Sequence, residues 1–139
     1  MTLSIRNQLP GTVTEVRPGE VMALVTVRLD DGPHLTAAIT REAAEQLALG
    51  PGTPVRALVK STEVSLATRR VEGLSIRNQL PGTITRLTSG EAMASVRIGV
   101  AGGEITAVIT QDAVGDLGLF VGSDVIALIK ATEVSLATD

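Results

Sequence analysis

The stretch Leu3-Ser4-Ile5-Arg6-Asn7-Gln8-Leu9-Pro10-Gly11-Thr12 occurs twice in this chain and returns unchanged as residues 74–83. A second block, residues 57–68, returns as residues 127–138 with two changes. Between these blocks the two halves keep their apolar pattern but not their identity. The retained letters include Ser, Arg, Asn, Gln, Lys, Thr and Glu, so the repeat preserves polar residues as well as a core. We therefore expect each half to carry both a fold and a polar site.

The repeat divides the 139 residues into two small domains, residues 1–69 and 70–139, joined by the charged stretch Arg69–Gly73. A unit of this size buries only about 60% of the surface of its unfolded chain. The chain has no cysteine for a disulfide and only one aromatic residue, Phe120. Small scaffolds of this kind need an outside partner for stability. We expect the halves to pack on each other or on other copies of the chain.

Residues 21–30 alternate between apolar and other side chains, with Val21, Ala23, Val25, Val27 and Leu29 on one face. This period of two predicts a half-buried strand, and residues 92–100 repeat it. A turn at Asp30–Pro33 predicts a hairpin with the strand Leu35–Ile39.

One helix is predicted in each half. In the first half Thr40 is the N-cap and Gly50 with Pro51 ends the helix. The copy at residues 110–119 carries two glycines and should be shorter or looser. The remaining predicted elements are a strand at Leu3–Asn7, a turn at Pro10-Gly11, and strands at Thr12–Arg17, Val55–Lys60, Val64–Thr68, Val125–Lys130 and Val134–Thr138. This order predicts a mainly β protein of two tandem OB-like small barrels, each with one short helix.

The sequence argues against several classes of function. His34 is the only histidine and has no copy in the second half, so no Ser-His-Asp set and no Cys/His metal cluster occurs twice. We therefore expect no catalytic residues, no cofactor and no directly ligated metal cation. A net charge of −3 with one aromatic residue disfavours a nucleic-acid partner. No apolar run reaches the roughly 18–20 residues of a membrane span, so a soluble cytoplasmic protein is expected.

The residues retained in both halves include several hydrogen-bond donors. The chain has twelve basic residues, and its only lysines, Lys60 and Lys130, occupy equivalent places in the two halves. Ser4, Arg6 and Asn7 add a hydroxyl, a guanidinium and an amide, and Thr40 adds the free N–H groups of a helix start. Donors without paired acids favour an oxyanion ligand, because charge-assisted hydrogen bonds to an anion are strong.

A structural interpretation of the same residues stays open. Arg6 would then pair with an acid across a subunit contact, Lys60 would simply be solvated, and Thr40 would cap its helix and do nothing else.

The repeated motif Ser-Ile-Arg-Asn-Gln-Leu-Pro-Gly-Thr resembles the Ser-Ala-Arg-Asn-x-x-x-Gly-Thr signature of the Mop domain, a molybdate-binding module. Ile39-Thr40 and Ile109-Thr110 before the helices, and Lys60-Ser61 and Lys130-Ala131, also match it. The resemblance covers essentially the whole chain and is that of a di-Mop molbindin, similar to the ModG group. It implies assembly into homotrimers and binding of molybdate or tungstate between Mop units.

The resemblance also implies two kinds of site. In the first kind, the Ser-x-Arg-Asn segment of one unit and the Lys-small segment of another share the anion, and the helix start forms the second kind. Carried over to this chain, the first kind comprises Ser4, Ile5, Arg6, Asn7, Lys60 and Ser61, and Ser75, Ile76, Arg77, Asn78, Lys130 and Ala131. The second kind comprises Thr40 and Ala43, and Thr110 and Ala113.

The leading hypothesis is a non-enzymatic cytoplasmic protein that stores molybdate and maintains its homeostasis. The alternative is a molybdate-sensing oligomerisation module that regulates a transporter or another regulator. An OB-type nucleic-acid binder is the third reading, against which the lack of aromatic residues counts.

Overall fold

The computed structural model describes residues 2–138 and shows a mainly β protein with two short helices. In the first half the elements are β1 (Asn7–Pro18), β2 (Met22–Leu29), β3 (His34–Thr40), α1 (Arg41–Gln46), β4 (Pro54–Val59), a 3-10 turn (Ser61–Glu63) and β5 (Ser65–Ala67). In the second half they are β6 (Asn78–Ser89), β7 (Met93–Val100), β8 (Gly103–Thr110), α2 (Gln111–Leu117), β9 (Asp124–Ile129), a 3-10 turn (Ala131–Glu133) and β10 (Ser135–Ala137).

The strands form two curled antiparallel sheets of five strands each, and the halves exchange their last strands. The first sheet has the order β10-β4-β1-β2-β3 and the second has the order β5-β9-β6-β7-β8. Leu136 of the second half pairs with Ala57, and Leu66 of the first half pairs with Ala127. Each sheet therefore depends on the other half for its fifth strand. The predicted tandem OB-like architecture is confirmed, and the division into domains at 1–69 and 70–139 stays a prediction.

The predicted turn at Pro10-Gly11, with a separate strand at Leu3–Asn7, is wrong, because β1 runs without a break through both residues. The Pro10 carbonyl oxygen accepts a hydrogen bond of 3.0 Å from the Asp30 N–H, on the side where β2 has already ended. The missing N–H of Pro10 points to that same side, so it removes no bond from the ladder with β4. A Cβ at Gly11 would lie 2.7 Å from the Arg28 carbonyl oxygen, so glycine lets β1 and β2 approach closely.

The period-two strands are confirmed and build one core that both halves share. Val25, Val27 and Leu29 are fully buried, as are Val96 and Ile98 in β7, whereas Val100 at the end of β7 is half-buried. Buried residues of the two halves belong to a single cluster made almost entirely of aliphatic side chains. Val21 and its copy Ala92 depart from the predicted pattern, because both are exposed in the bends that precede β2 and β7. Phe120 is also largely exposed, so no aromatic ring contributes to this core.

The helices end differently from the prediction. After α1 the chain turns at Ala48, which has a φ of 52°, so the helix stops at Gln46, before the predicted Gly50. In the second half Gly118 takes the left-handed conformation with a φ of 62°. Glycine adopts this conformation at no steric cost, and α2 is one residue longer than α1. The prediction that the second helix is shorter is therefore wrong, and the alternative that it is looser stays a prediction.

The hairpin turns of the two halves touch each other. A Cβ at Gly32 would lie 2.6 Å from the carbonyl oxygen of Ala101, and a Cβ at Gly102 would lie 2.6 Å from that of Asp30. Gly102 also has a φ of +95°. The two turns therefore approach backbone to backbone, which only residues without a side chain permit.

We expect Gly102→Ala to lower the free energy of unfolding by about 1–3 kcal/mol, because it adds a clash between the halves to an unfavourable φ. Gly50→Ala is the matched control, since a Cβ there meets nothing within 4 Å. The control should change the free energy by less than about 0.5 kcal/mol. Urea denaturation followed by circular dichroism measures both, and equal unfolding midpoints would contradict this contact between the turns.

Candidate functional site

The two repeated polar blocks of one half meet at one end of its own sheet. The sharing of an anion between two units, which the resemblance implies, stays a prediction. The ladder between β1 and β4 ends with Asn7 opposite Val59, so Arg6 and Lys60 leave the sheet side by side. The equivalent ladder in the second half ends with Asn78 opposite Ile129. We call residues 4–7, Lys60 and Ser61 the first cationic end. The second cationic end comprises residues 75–78, Lys130 and Ala131.

The charged groups of both ends face solvent and have no acidic partner among residues 2–138. Arg6, Lys60, Arg77 and Lys130 are exposed, as are Ser4 and Ser75. Within residues 2–138 none of these four cations forms an ion pair. Each end therefore presents two positive charges to solvent, and the binding of an oxyanion by these donors stays a prediction.

The lysines are held in the same backbone conformation in the two halves. Lys60 has φ −66° and ψ 139°, and Lys130 has φ −65° and ψ 138°. In each case the lysine carbonyl oxygen accepts a hydrogen bond of 2.9 Å from the backbone N–H of the last residue of the 3-10 turn, Glu63 or Glu133. These turns fix the point at which each lysine side chain leaves the sheet.

Asn7 and Asn78 are the two buried polar residues among residues 2–138, and each is 3% exposed. Asn7 Nδ2 donates to the Thr106 carbonyl oxygen, and its Oδ1 accepts from the Thr106 N–H, both at 2.8 Å. Asn78 makes the same pair of 2.8 Å bonds with Thr36. Both amides thus bridge to the opposite half, which sequence reasoning missed. Their predicted role as oxyanion donors stays a prediction, with one Nδ2 hydrogen left for it.

The predicted sites at the helix starts have a different character. The Thr40 hydroxyl accepts the Ala43 N–H at 3.1 Å, and Thr110 accepts the Ala113 N–H at the same distance. The N–H groups of Ala43 and Ala113 are therefore already used in capping the helices. The groove beside Thr40 is also lined by three glutamates, and its arginine, Arg41, lies 3.2 Å from Glu45. An anion would meet more negative charge here than at the cationic ends, and binding at the helix starts stays a prediction.

We expect Thr110→Ala to lower the free energy of unfolding by about 1 kcal/mol, because the capping bond to Ala113 is lost. Thr110→Ser keeps the hydroxyl and should retain most of that stability. Thermal unfolding of both variants checks the difference, and equal losses would mean that the hydroxyl does not cap α2.

Two further residues at these ends were not predicted. Arg56 lines the groove that contains Arg6 and Gln8, and the second half has Ile126 at the equivalent position. Gln79 holds the linker, because its side-chain amide accepts from the Val71 N–H at 3.0 Å and donates to the Val71 carbonyl oxygen at 2.9 Å. Arg56 breaks the repeat, and this difference between the halves is a sequence signal that could have identified it.

Residues 2–138 contain no group of three or more acidic or histidine side chains placed to hold a metal ion. His34 is exposed at the start of β3, opposite Arg28. No helix within these residues is long and apolar enough to cross a bilayer.

The fold defines a small, mainly β protein built from two interlocked OB-like units, each with one cationic end. The TOBE domain model matches residues 3–66 and 74–136. The chain therefore belongs to the TOBE domain family, and the tandem Mop-type architecture inferred from its motifs is confirmed.

The relatives that match this chain have names that refer to molybdenum binding or transport. The chain is 40% identical over 136 residues to the molybdenum-pterin-binding protein MopB of Rhodobacter capsulatus, covering 96% of this chain and 50% of the relative. It is 39% identical over 138 residues to the molybdenum transport protein ModE of Azotobacter vinelandii, covering 99% and 51%. The chain thus spans about half the length of these curated relatives.

A solved structure matches the whole chain. It is that of the cytoplasmic molybdate-binding protein ModG with molybdate bound, at a TM-score of 0.96 and 40% sequence identity, and the match covers 100% of both chains. These descriptions agree with the prediction of a binding protein rather than an enzyme.

Proposed function

We propose that this protein reversibly binds molybdate in the cytoplasm and serves to store it and to keep its free concentration steady. The observation that carries the proposal is the full-length match, at 40% identity, to a molybdate-bound protein. The two cationic ends support it independently, because each presents a lysine and an arginine without an acidic partner among residues 2–138.

The chemistry of the ends suits a tetrahedral dianion. Each end offers one ammonium, one guanidinium and a serine hydroxyl, together with the backbone N–H groups of Ile5 or Ile76. Charge-assisted hydrogen bonds from such groups to an oxyanion are short and strong. Tungstate has the same charge and shape, so we propose that it competes with molybdate at these ends.

We further propose that the sites are completed in a homotrimer. The donors of each end face solvent in the single chain, and a second copy laid against them would exclude water from the anion. Electrostatic interactions strengthen when water is excluded. Light scattering after size-exclusion chromatography should give three times the chain mass of 14.4 kDa, and a monomer would remove this part of the proposal.

Equilibrium dialysis tests the proposal directly. The protein should take up molybdate and tungstate at micromolar concentrations and should bind sulfate and phosphate more weakly. Absence of molybdate uptake at these concentrations would refute the proposed function.

We expect Lys60→Ala and Arg6→Ala each to weaken molybdate binding at the first cationic end by about 10–100-fold, because a charged hydrogen bond contributes about 1.5–3 kcal/mol. Arg17→Ala is the matched control, since Arg17 is exposed near the opposite end of β1. Isothermal titration calorimetry measures the affinities, and thermal unfolding verifies that all three variants fold. Wild-type affinity in both Lys60→Ala and Arg6→Ala would show that the anion binds elsewhere.

The two ends should differ in affinity, because Ala131 lacks the hydroxyl that Ser61 offers. Ser61→Ala should lower the molybdate affinity of the first end towards that of the second. Ala131→Ser should raise the affinity of the second end towards that of the first, and each change should be up to about tenfold. Competition calorimetry on the single variants checks this. A pair of ends that are equal in the wild type would count against a role for the Ser61 hydroxyl.

A second candidate function is a molybdate-sensing module that regulates a partner. The observation that favours it is the similarity to ModE proteins and to the molybdenum import ATP-binding protein ModC of Brucella abortus, which are longer than this chain. A pull-down in which a partner is captured only with molybdate, or only without it, would favour this role over storage.

A further inference from the structure

The two bridges made by Asn7 and Asn78 connect each cationic end to the opposite half of the chain. Asn7 belongs to the first cationic end, yet its amide is bonded to Thr106 in β8 of the second half. Asn78 belongs to the second end and is bonded to Thr36 in β3 of the first half. The bonds are equal in length, and the arrangement is reciprocal.

The bridges satisfy the open edges of the two sheets. β3 and β8 are the outermost strands of their sheets, so the N–H and C=O groups on their open sides lack a neighbouring strand. A primary amide presents one donor and one acceptor side by side, as one residue of a strand does. An aspartate would present two acceptors to Thr106 and an aliphatic residue neither group, which gives a physical reason for asparagine at both positions.

The bridge lies next to the proposed anion ligands. Asn7 directly follows Arg6 and is opposite Val59, the residue before Lys60. The 3-10 turn that follows Lys60 also contacts β8, and the turn that follows Lys130 contacts β3. Both segments of each cationic end therefore rest on the edge strand of the other half.

We infer that Asn7 and Asn78 are positioning residues, through which each half of the chain fixes the donors of the other half's molybdate site. This inference rests on the proposed function and deepens it. Loss of one amide frees the end to which it belongs and leaves the opposite end in place.

The test separates the two ends by disabling one at a time. In a Lys130→Ala background the measured binding belongs to the first end, and in a Lys60→Ala background it belongs to the second. Asn7→Ala should weaken molybdate binding about tenfold in the first background and about twofold or less in the second, and Asn78→Ala should show the reverse. Thr14→Ala is the control, because it removes a hydrogen bond of 3.3 Å to Thr26 elsewhere in β1 and should change neither affinity.

A purely structural role for the asparagines would lower the affinity of both ends equally in both backgrounds, and that result would overturn the inference. Unchanged affinity in every background would overturn it as well. If the wild-type protein takes up no molybdate at all, the proposed function fails first and the inference fails with it.

A second pair of variants keeps the test valid if the alanine variants do not fold. Thr106→Pro removes the N–H that Asn7 Oδ1 accepts and takes no bond from the ladder between β7 and β8, because that N–H lies on the open side of an edge strand. It should reproduce the selective loss at the first end, and Thr36→Pro should do so at the second. Amide hydrogen exchange at Thr106 provides a readout without ligand: its protection in the wild type should fall in Asn7→Ala and persist in Asn78→Ala, and equal protection in both would contradict the bridge.

Discussion

The exchange of the fifth strand between the two halves is the constraint on which the rest of this structure depends. β10 completes the first sheet along β4, and β5 completes the second along β9. A half of about 69 residues with aliphatic side chains and almost no aromatic ones has little surface to bury alone. The exchange turns two marginal cores into one shared core. It also fixes the positions of the hairpin turns, the edge strands and the two cationic ends relative to one another.

The location of the cationic ends follows from this arrangement. The last strand of each half crosses to the other sheet, so the segment before it must leave β4 or β9 at the end of the ladder. That segment begins with Lys60 or Lys130, and it leaves beside the start of β1 or β6, where Arg6 or Arg77 lies. Topology alone therefore pairs a lysine with an arginine twice, away from the glutamates that surround the start of α1.

Much of this could be predicted from the sequence, because period-two strands and a repeated motif are local signals. The sequence pattern predicts the hairpins, the capping role of Thr40 and the donors of the cationic ends. The exchange was not, because Ser65-Leu66-Ala67 and Ser135-Leu136-Ala137 are identical, and no sequence feature tells which sheet each will join. The prediction of a turn at Pro10-Gly11 is wrong because a proline fits inside a strand when its missing N–H faces a side without a paired strand. The point at which the neighbouring strand β2 ends is not visible in the local sequence. The Asn7 bridge was missed for a related reason, since its partner lies 99 residues away.

We propose that molybdate binds where a lysine and an arginine meet at the end of each sheet. Crystals grown with molybdate and measured at the molybdenum absorption edge test it most directly, because the anomalous signal marks the metal without reference to any assumed site. We expect anomalous peaks within hydrogen-bonding distance of the Lys60 and Lys130 ammonium groups. Peaks confined to the helix starts at Thr40 and Thr110, or no peaks at all, would contradict it.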